Sequence, residues 1–286
     1  MRLIIHNGLH KTASTYVQTL FCTISTSILE RGIYYEAGEH HPVAWAVLRG
    51  DFEPFRKMIS RARASGCHTI IVSAEDLENL LFDLPTAQSL ESEAFRSGIK
   101  AIDWLICVRP QSDYFWSLYA EMSRHTYLDP FAAFYQVIID GRLRVPATPR
   151  KAGPPHWDFC FDYRKYFPAF ASKIQGRVHI YDFADNSPYP LWKVFSALGV
   201  ADLAMSPSRT AVRNERASDD AVAQQYGSRF CEAIDQSERD AFAGELILRT
   251  SVDAKLKARM TMQLANRFGV DNAGIFSEFP FHISPS

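Results

Sequence analysis

The stretch Arg2 to Gln18, RLIIHNGLHKTASTYVQ, constrains the fold more than any other, because a short apolar run breaks into small polar residues and resumes with a different period. Leu3, Ile4 and Ile5 carry the continuous apolar signature of a buried parallel strand. Val17, Leu20, Phe21, Ile24 and Ile28 then recur at helical spacing. Gly8, Lys11, Thr12, Ser14 and Thr15 therefore occupy a strand-to-helix turn. The first amides of a helix lack intrahelical acceptors and carry partial positive charge, which makes such a turn a ready anion site. Gly8 admits close backbone approach, Lys11 adds a full charge, and the hydroxyls add donors, an inventory that suits a doubly charged phosphate. The plain alternative is an ordinary strand-turn-helix with a capping cluster.

Two further strands repeat the pattern. Thr69–Ser73, TIIVS, delivers Glu75 and Asp76 just past its carboxyl end, the edge of a parallel sheet where ligands gather. Those carboxylates are either first-turn charges of the helical DLENLL segment or groups facing a ligand. Ile99–Val108 is the next apolar run and ends at Arg109–Pro110. Phe115, Leu118, Tyr119 and Met122 then mark one face of a helix, which brings Ser117, eight positions after Arg109, towards that arginine. A guanidinium fork and a hydroxyl together can recognise a phosphate.

The loop GLHKTAST resembles the 5′-phosphosulfate loop of the sulfotransferase family, of the form GxxKTGTT, with Ala13 where the family has glycine. Arg109 and Ser117 resemble that family's 3′-phosphate site, an arginine at a strand end with a serine eight positions on. The resemblance implies a bacterial or glycan-type sulfotransferase, with 3′-phosphoadenosine 5′-phosphosulfate as co-substrate and no metal. It implies donor contacts from Gly8, His10, Lys11, Thr12, Ala13, Ser14, Thr15, Arg109 and Ser117, and more loosely from Arg213 and Asn214 in the basic turn SPSRTAVRNER. Lys11 is the expected electrostatic catalyst. Glu75 is the expected general base, because VSAED resembles the glutamate site of glycan-type and bacterial members, with His41 or His10 as substitutes. The nucleoside-triphosphatase loop GxxxxGK[ST] fits less well, since no second glycine precedes Lys11. An ATP-dependent kinase, with VSAED positioning magnesium, is the alternative enzyme, and a non-catalytic nucleotide-binding module is the alternative without chemistry.

Strand and helix signals alternate through RVHIY (177–181) and a helix from Pro190 to Leu198, so the expected fold is α/β. It is a single three-layer domain over residues 1–286, built on a mostly parallel sheet, with a helical extension over about 218–270 and GIFSEFPFHISPS as an extended tail. Asp129–Pro130 starts a helix that Gly141 stops, with Phe131 and Phe134 read as core. A helix from Tyr163 to Ile174 is limited by Pro168. Arg142 to Trp157, with four prolines and Arg142, Arg144, Arg150 and Lys151, is the longest loop candidate. It is either a surface connection or a lid that attracts an anionic acceptor such as a saccharide.

With 286 residues, 47% hydrophobic and 22% charged, the chain can bury one sizeable core. Its 31 basic and 32 acidic side chains nearly cancel, so no global field draws it to nucleic acid or to an anionic membrane. Five dispersed cysteines form no CxxC pair, and no run has membrane-spanning length, which together give a cytoplasmic expectation without stable membrane insertion. His6 and His10 straddle a glycine turn rather than share a helix face, so no metal pair is expected.

Overall fold

The computed structural model describes residues 1–38, 40–123, 125, 128–147, 154–185, 192–204, 221, 252–269 and 272–283. Its framework is a five-stranded parallel sheet made of β1 (Arg2–His6), β2 (Ile33–Tyr34), β3 (Thr69–Ser73), β4 (Ala101–Val108) and, later in the chain, the strand Arg177–Asp182. A separate hairpin, β5 (Arg142–Pro146) with β6 (His156–Cys160), precedes that last strand, which is therefore β7. The sheet order is β2-β3-β1-β4-β7, and every neighbouring pair is parallel. The α/β expectation with a mostly parallel sheet is met.

Alternate strand residues feed two cores on opposite faces, as a doubly covered sheet requires. Leu3, Ile5, Ile70, Val72, Trp104 and Ile106 face one core, which receives α3 (His40–Leu48), α4 (Glu53–Ala64), α5 (Leu84–Arg96), α6 (Gln111–Met122) and α8 (Tyr163–Ala171). Ile4, Ile71, Leu105 and Cys107 face the other, beneath α1 (Ser14–Thr23), α2 (Ser25–Glu30) and α9 (Trp192–Ala197). The expected first helix is split at Ile24 into α1 and α2. Helix α10 (Ala201–Ala204) follows α9, and Gly199 between them takes a left-handed φ of 69°.

The onward connections of β1 and β4 run in opposite directions across the sheet. From β1 the chain goes by α1 and α2 to β2 at one edge, and from β4 it goes by α6 and α8 to β7 at the other. The carboxyl ends of β1 and β4 thus flank the topological switch point, where open α/β sheets bind their ligands.

Three expectations are corrected. The proposed loop Arg142–Trp157 contains β5 and the first two residues of β6, the two arms of a hairpin. Leu143 and Val145 alternate inward between Arg142 and Arg144, a strand period that the neighbouring prolines obscured. Arg144 forks onto Asp158 with two bonds of 2.9 Å, so its charge is met inside the hairpin rather than offered to an acceptor. Arg150 and Lys151 lie outside the described residues. Pro168 sits inside α8 rather than limiting it. On α7 (Pro130–Asp140), capped by Asp129 and stopped by Gly141 as expected, Phe131 is 42% exposed rather than core.

Most of 218–270 lies outside the described residues, and the described part includes α11 (Ala254–Phe268), followed by α12 (Asn272–Glu278). The tail beyond α12 covers the outer edge of β7: the Ile180 amide donates to the Phe279 carbonyl at 3.1 Å, and Phe281 packs edge-on against Tyr181. Among the described residues no helix is long and apolar enough to cross a membrane. Cys67, Cys107 and Cys160 are buried free thiols and Cys22 is half-buried, while Cys231 lies outside the described residues.

Candidate active site

Residues 7–13 leave β1 and turn into α1 directly above the switch point. The turn is pinned to β4 by the Asn7 amide on the Leu105 carbonyl and the Leu9 amide on the Cys107 carbonyl, both at 3.1 Å. Gly8 is favoured by crowding: a Cβ there would stand 3.1 Å from both His6 Nε2 and Thr12 Oγ1, which would have to shift by a few tenths of an ångström. Lys11 and Ala13 both adopt left-handed backbone, with φ of 63° and 62°. Ala13 thus holds the conformation that glycine takes freely and that a Cβ opposes by about 1–2 kcal/mol. Ala13→Gly is expected to stabilise the chain by about 0.5–1 kcal/mol in urea unfolding, because glycine's extra unfolded-state entropy offsets only part of that strain. A destabilisation would mean that the methyl group makes packing contacts worth more than the strain.

No hydrogen bond reaches the amides of Lys11 to Thr15 from the described residues, and the helix itself gives none to Ser14, Thr15 and Tyr16. The Ser14 and Thr15 hydroxyls are likewise without a hydrogen-bond partner there. The Thr12 hydroxyl is buried and donates to the Leu9 carbonyl, so it shapes the turn rather than facing outwards. Both side-chain amide atoms of Asn7 are buried and unpartnered.

Arg109, at the end of β4, reaches this loop: its Nη1 donates to the Lys11 carbonyl at 2.8 Å. Its guanidinium lies 5.1 Å from the centre of the Phe183 ring, its Nε is buried without a partner, and burial lowers its pKa. Ser117 is buried in α6, one helical turn before Glu121, and the Glu121 carboxylate meets Lys11 Nζ at 3.2 Å. The face of α6 that carries Ser117 and Glu121 therefore borders the loop. Lys11, Arg109 and α6 are brought together; no hydrogen bond joins Arg109 to Ser117. Arg213 and Asn214 lie outside the described residues.

Beside the loop, at the end of β3, the 3-10 helix Glu75–Leu81 places three carboxylates in its first turn. His10 turns inward to them. Its Nδ1 is 2.9 Å and its amide 3.0 Å from Glu78 Oε2, and its Nε2 is 3.4 Å from Asp76 Oδ1. Burial opposes the charged imidazole, but Asp76 and Glu78 outweigh it and push the His10 pKa up to about 10. Glu78 is fully buried and also accepts from the Tyr114 hydroxyl at 3.0 Å and the Cys160 amide at 2.6 Å.

Asp76 is the hub of the outer half. It accepts from Trp45 Nε1 at 2.6 Å and meets His41 Nδ1 at 2.8 Å. Burial would raise its pKa, but His10 and His41 hold it well below the usual carboxylate range. With Nδ1–H donated to Asp76, His41 presents Nε2 as an acceptor, 3.7 Å from Glu75 Oε2, and its side chain is 36% exposed. The hydrogen bond to Asp76 raises the His41 pKa above 6.5. Glu75 is itself held by Gln18 Nε2 at 2.9 Å.

His6 and His40 are different in kind. Burial pushes both down to about 4. His6 is sealed between Ser73 Oγ and Tyr181 OH, each at 2.8 Å, and His40 accepts from the Ser73 amide. Both are neutral core groups at pH 7.

Sequence reasoning placed Lys11, Arg109 and Glu75 near the ends of the sheet strands and named His41 only as a substitute base, and it missed Glu78, Trp45, Tyr114 and Glu121 as partners. One signal was present for Glu78: a carboxylate set between the leucines of DLENLL must find donors if it is buried. Among the described residues no cluster of three or more His, Cys, Asp or Glu side chains is arranged to hold a metal ion. Comparison with protein-family models, curated proteins and solved structures gave no match.

Proposed function

We propose that the chain is a sulfotransferase that moves a sulfuryl group from 3′-phosphoadenosine 5′-phosphosulfate to a hydroxyl or amine of an acceptor. The observation that carries the reading is the 2.8 Å contact of Arg109 with the Lys11 carbonyl, which joins the two halves of the sequence resemblance, 98 residues apart, at the switch point. The residues present fit the nucleotide. The unpartnered amides of the Lys11–Thr15 turn and the hydroxyls of Ser14 and Thr15 suit a 5′-phosphate, and the buried, unpartnered Nε of Arg109 suits a further phosphate oxygen.

In this reading Lys11 and the amides of Thr12 to Thr15 hold the 5′-phosphate, and Arg109 with Ser117 holds the 3′-phosphate. His41, oriented by Asp76, takes the acceptor proton on Nε2. The acceptor oxygen or nitrogen forms the new bond to sulfur as the bond from sulfur to the leaving phosphate oxygen breaks. The charge gathering on that oxygen is stabilised by Lys11 and the loop amides, which are already in place. Glu75, expected as the base, supports His41 instead, because Gln18 engages its carboxylate. His10 is unsuited to the role, since it is already protonated at neutral pH.

Thermal unfolding beside adenosine 3′,5′-bisphosphate, ATP with magnesium, and AMP tests the donor assignment. At one hundred times Kd the bisphosphate is expected to raise the melting temperature by about 5 °C, and Arg109→Ala to abolish the rise. A larger rise with ATP and magnesium than with the bisphosphate would replace the sulfotransferase reading by the kinase one.

A further inference from the structure

Lys11 is not a free cation at the mouth of the loop. Its Nζ lies 3.2 Å from Glu121 Oε2, with the two side chains 16% and 26% exposed, and the other Glu121 oxygen lies 3.3 Å from His125 Nε2. Glu121 projects from α6 one turn beyond Ser117. The helix that borders the loop thus presents a carboxylate to the loop's lysine. A carboxylate there repels any incoming anion and competes with it for the ammonium.

We propose that Glu121 is the counter-charge that sets the anion affinity and selectivity of the loop, a latch on Lys11 that a phosphate must displace. A singly charged anion gains little by exchanging one carboxylate for itself. A doubly charged phosphate, seated on the loop amides as well as on Lys11, gains enough to displace it. The latch thereby tunes the site towards dianions, and it hands the Lys11 ammonium to the ligand only when the loop is filled. Because the pair is partly exposed, its hold is weak enough for the exchange to be reversible. The proposal rests on the nucleotide reading only for the choice of its first probe.

Isothermal titration of the full chain with adenosine 3′,5′-bisphosphate, and separately with inorganic pyrophosphate, tests it. Glu121→Gln is expected to bind the anion about three- to tenfold more tightly than the wild type. Glu53→Gln removes a remote surface charge from α4 and is expected to leave affinity unchanged, which separates direct competition from a change in net charge. Glu121→Asp keeps the charge on a shorter arm and is expected to fall between the wild type and Glu121→Gln, so a fold defect in one variant does not decide the outcome. Equal affinity in wild type and Glu121→Gln, or the same tightening in Glu53→Gln, overturns the latch. If the bisphosphate binds neither form while pyrophosphate binding tightens, the donor reading fails and the latch stands. If neither anion binds either form, both are overturned.

Discussion

His10→Ala is expected to destabilise the chain by about 3–5 kcal/mol in denaturant unfolding at pH 7, the cost of leaving a buried carboxylate without its counter-charge. The imidazolium is the cation shared by Asp76 and Glu78, and Glu78 is fully buried. Against total stabilities of roughly 5–15 kcal/mol, that loss removes a large part of the fold's reserve. The pH dependence follows from the same pair of shifts. The folded pKa of His10, about 10, lies above its unfolded 6.5, so its contribution is complete below pH 6.5 and is lost as pH rises towards 10. The folded pKa of Asp76 is depressed, so its contribution is present above its unfolded 3.8 and is lost as pH falls below that value. The network is therefore strongest between about pH 4 and 6.5. Between pH 7 and 9 wild-type stability is expected to fall by at most about 1.4 kcal/mol per pH unit from this group, a slope that His10→Asn should remove. A loss below about 1 kcal/mol in His10→Ala would mean that the carboxylates are satisfied by their neutral donors alone.

His41→Ala is expected to lower kcat by about 10²–10⁴ while leaving bisphosphate affinity within a factor of about two, the signature of a lost general base. The measurement is transfer from labelled donor to an acceptor found by screening saccharide, phenolic and amine compounds. Activity requires neutral His41, so kcat/KM should rise with pH through an acidic limb lying above 6.5, because the Asp76 hydrogen bond and the Glu75 charge both raise its pKa. Glu75→Gln removes one of those charges and is expected to shift the limb to lower pH while holding kcat within about tenfold. A loss in Glu75→Gln as deep as that in His41→Ala would return the base role to the glutamate.

The two effects separate within one network. His10 sits on the buried side of Asp76 and supports the fold, whereas His41 sits on its open side with an acceptor nitrogen turned outwards. A single carboxylate orients both imidazoles, so Asp76 couples the loop bearing Lys11 to the edge where the acceptor is proposed to bind.

Local pattern determined the strands and the loop of this protein. The apolar runs LII, TIIVS and the stretch ending at Val108 are continuous because β1, β3 and β4 are covered on both faces, and the change of period after His6 marks the turn whatever lies around it. Arg109 was legible at the ligand edge for the same reason: a strand end followed by Pro110 places it there. The hairpin was missed because the prolines that punctuate Arg142–Trp157 mask an alternation only five residues long on the first arm, and the second arm, HWDFC, does not alternate.

The partners were decided only by the tertiary structure. His10 finds Glu78 across 68 residues, His41 finds Asp76 across 35, and Lys11 finds Glu121 across 110. Nothing in the residues beside them states those pairings. Hydrophobic periodicity is a property of neighbours along the chain, whereas the charge state of a buried imidazole or carboxylate depends on which groups the sheet order brings within hydrogen-bonding distance. The order β2-β3-β1-β4-β7 sets the end of β3 on one side of the loop and the start of α6 on the other. That placement turned His10 into a buried cation and left His41 half-exposed at the open edge.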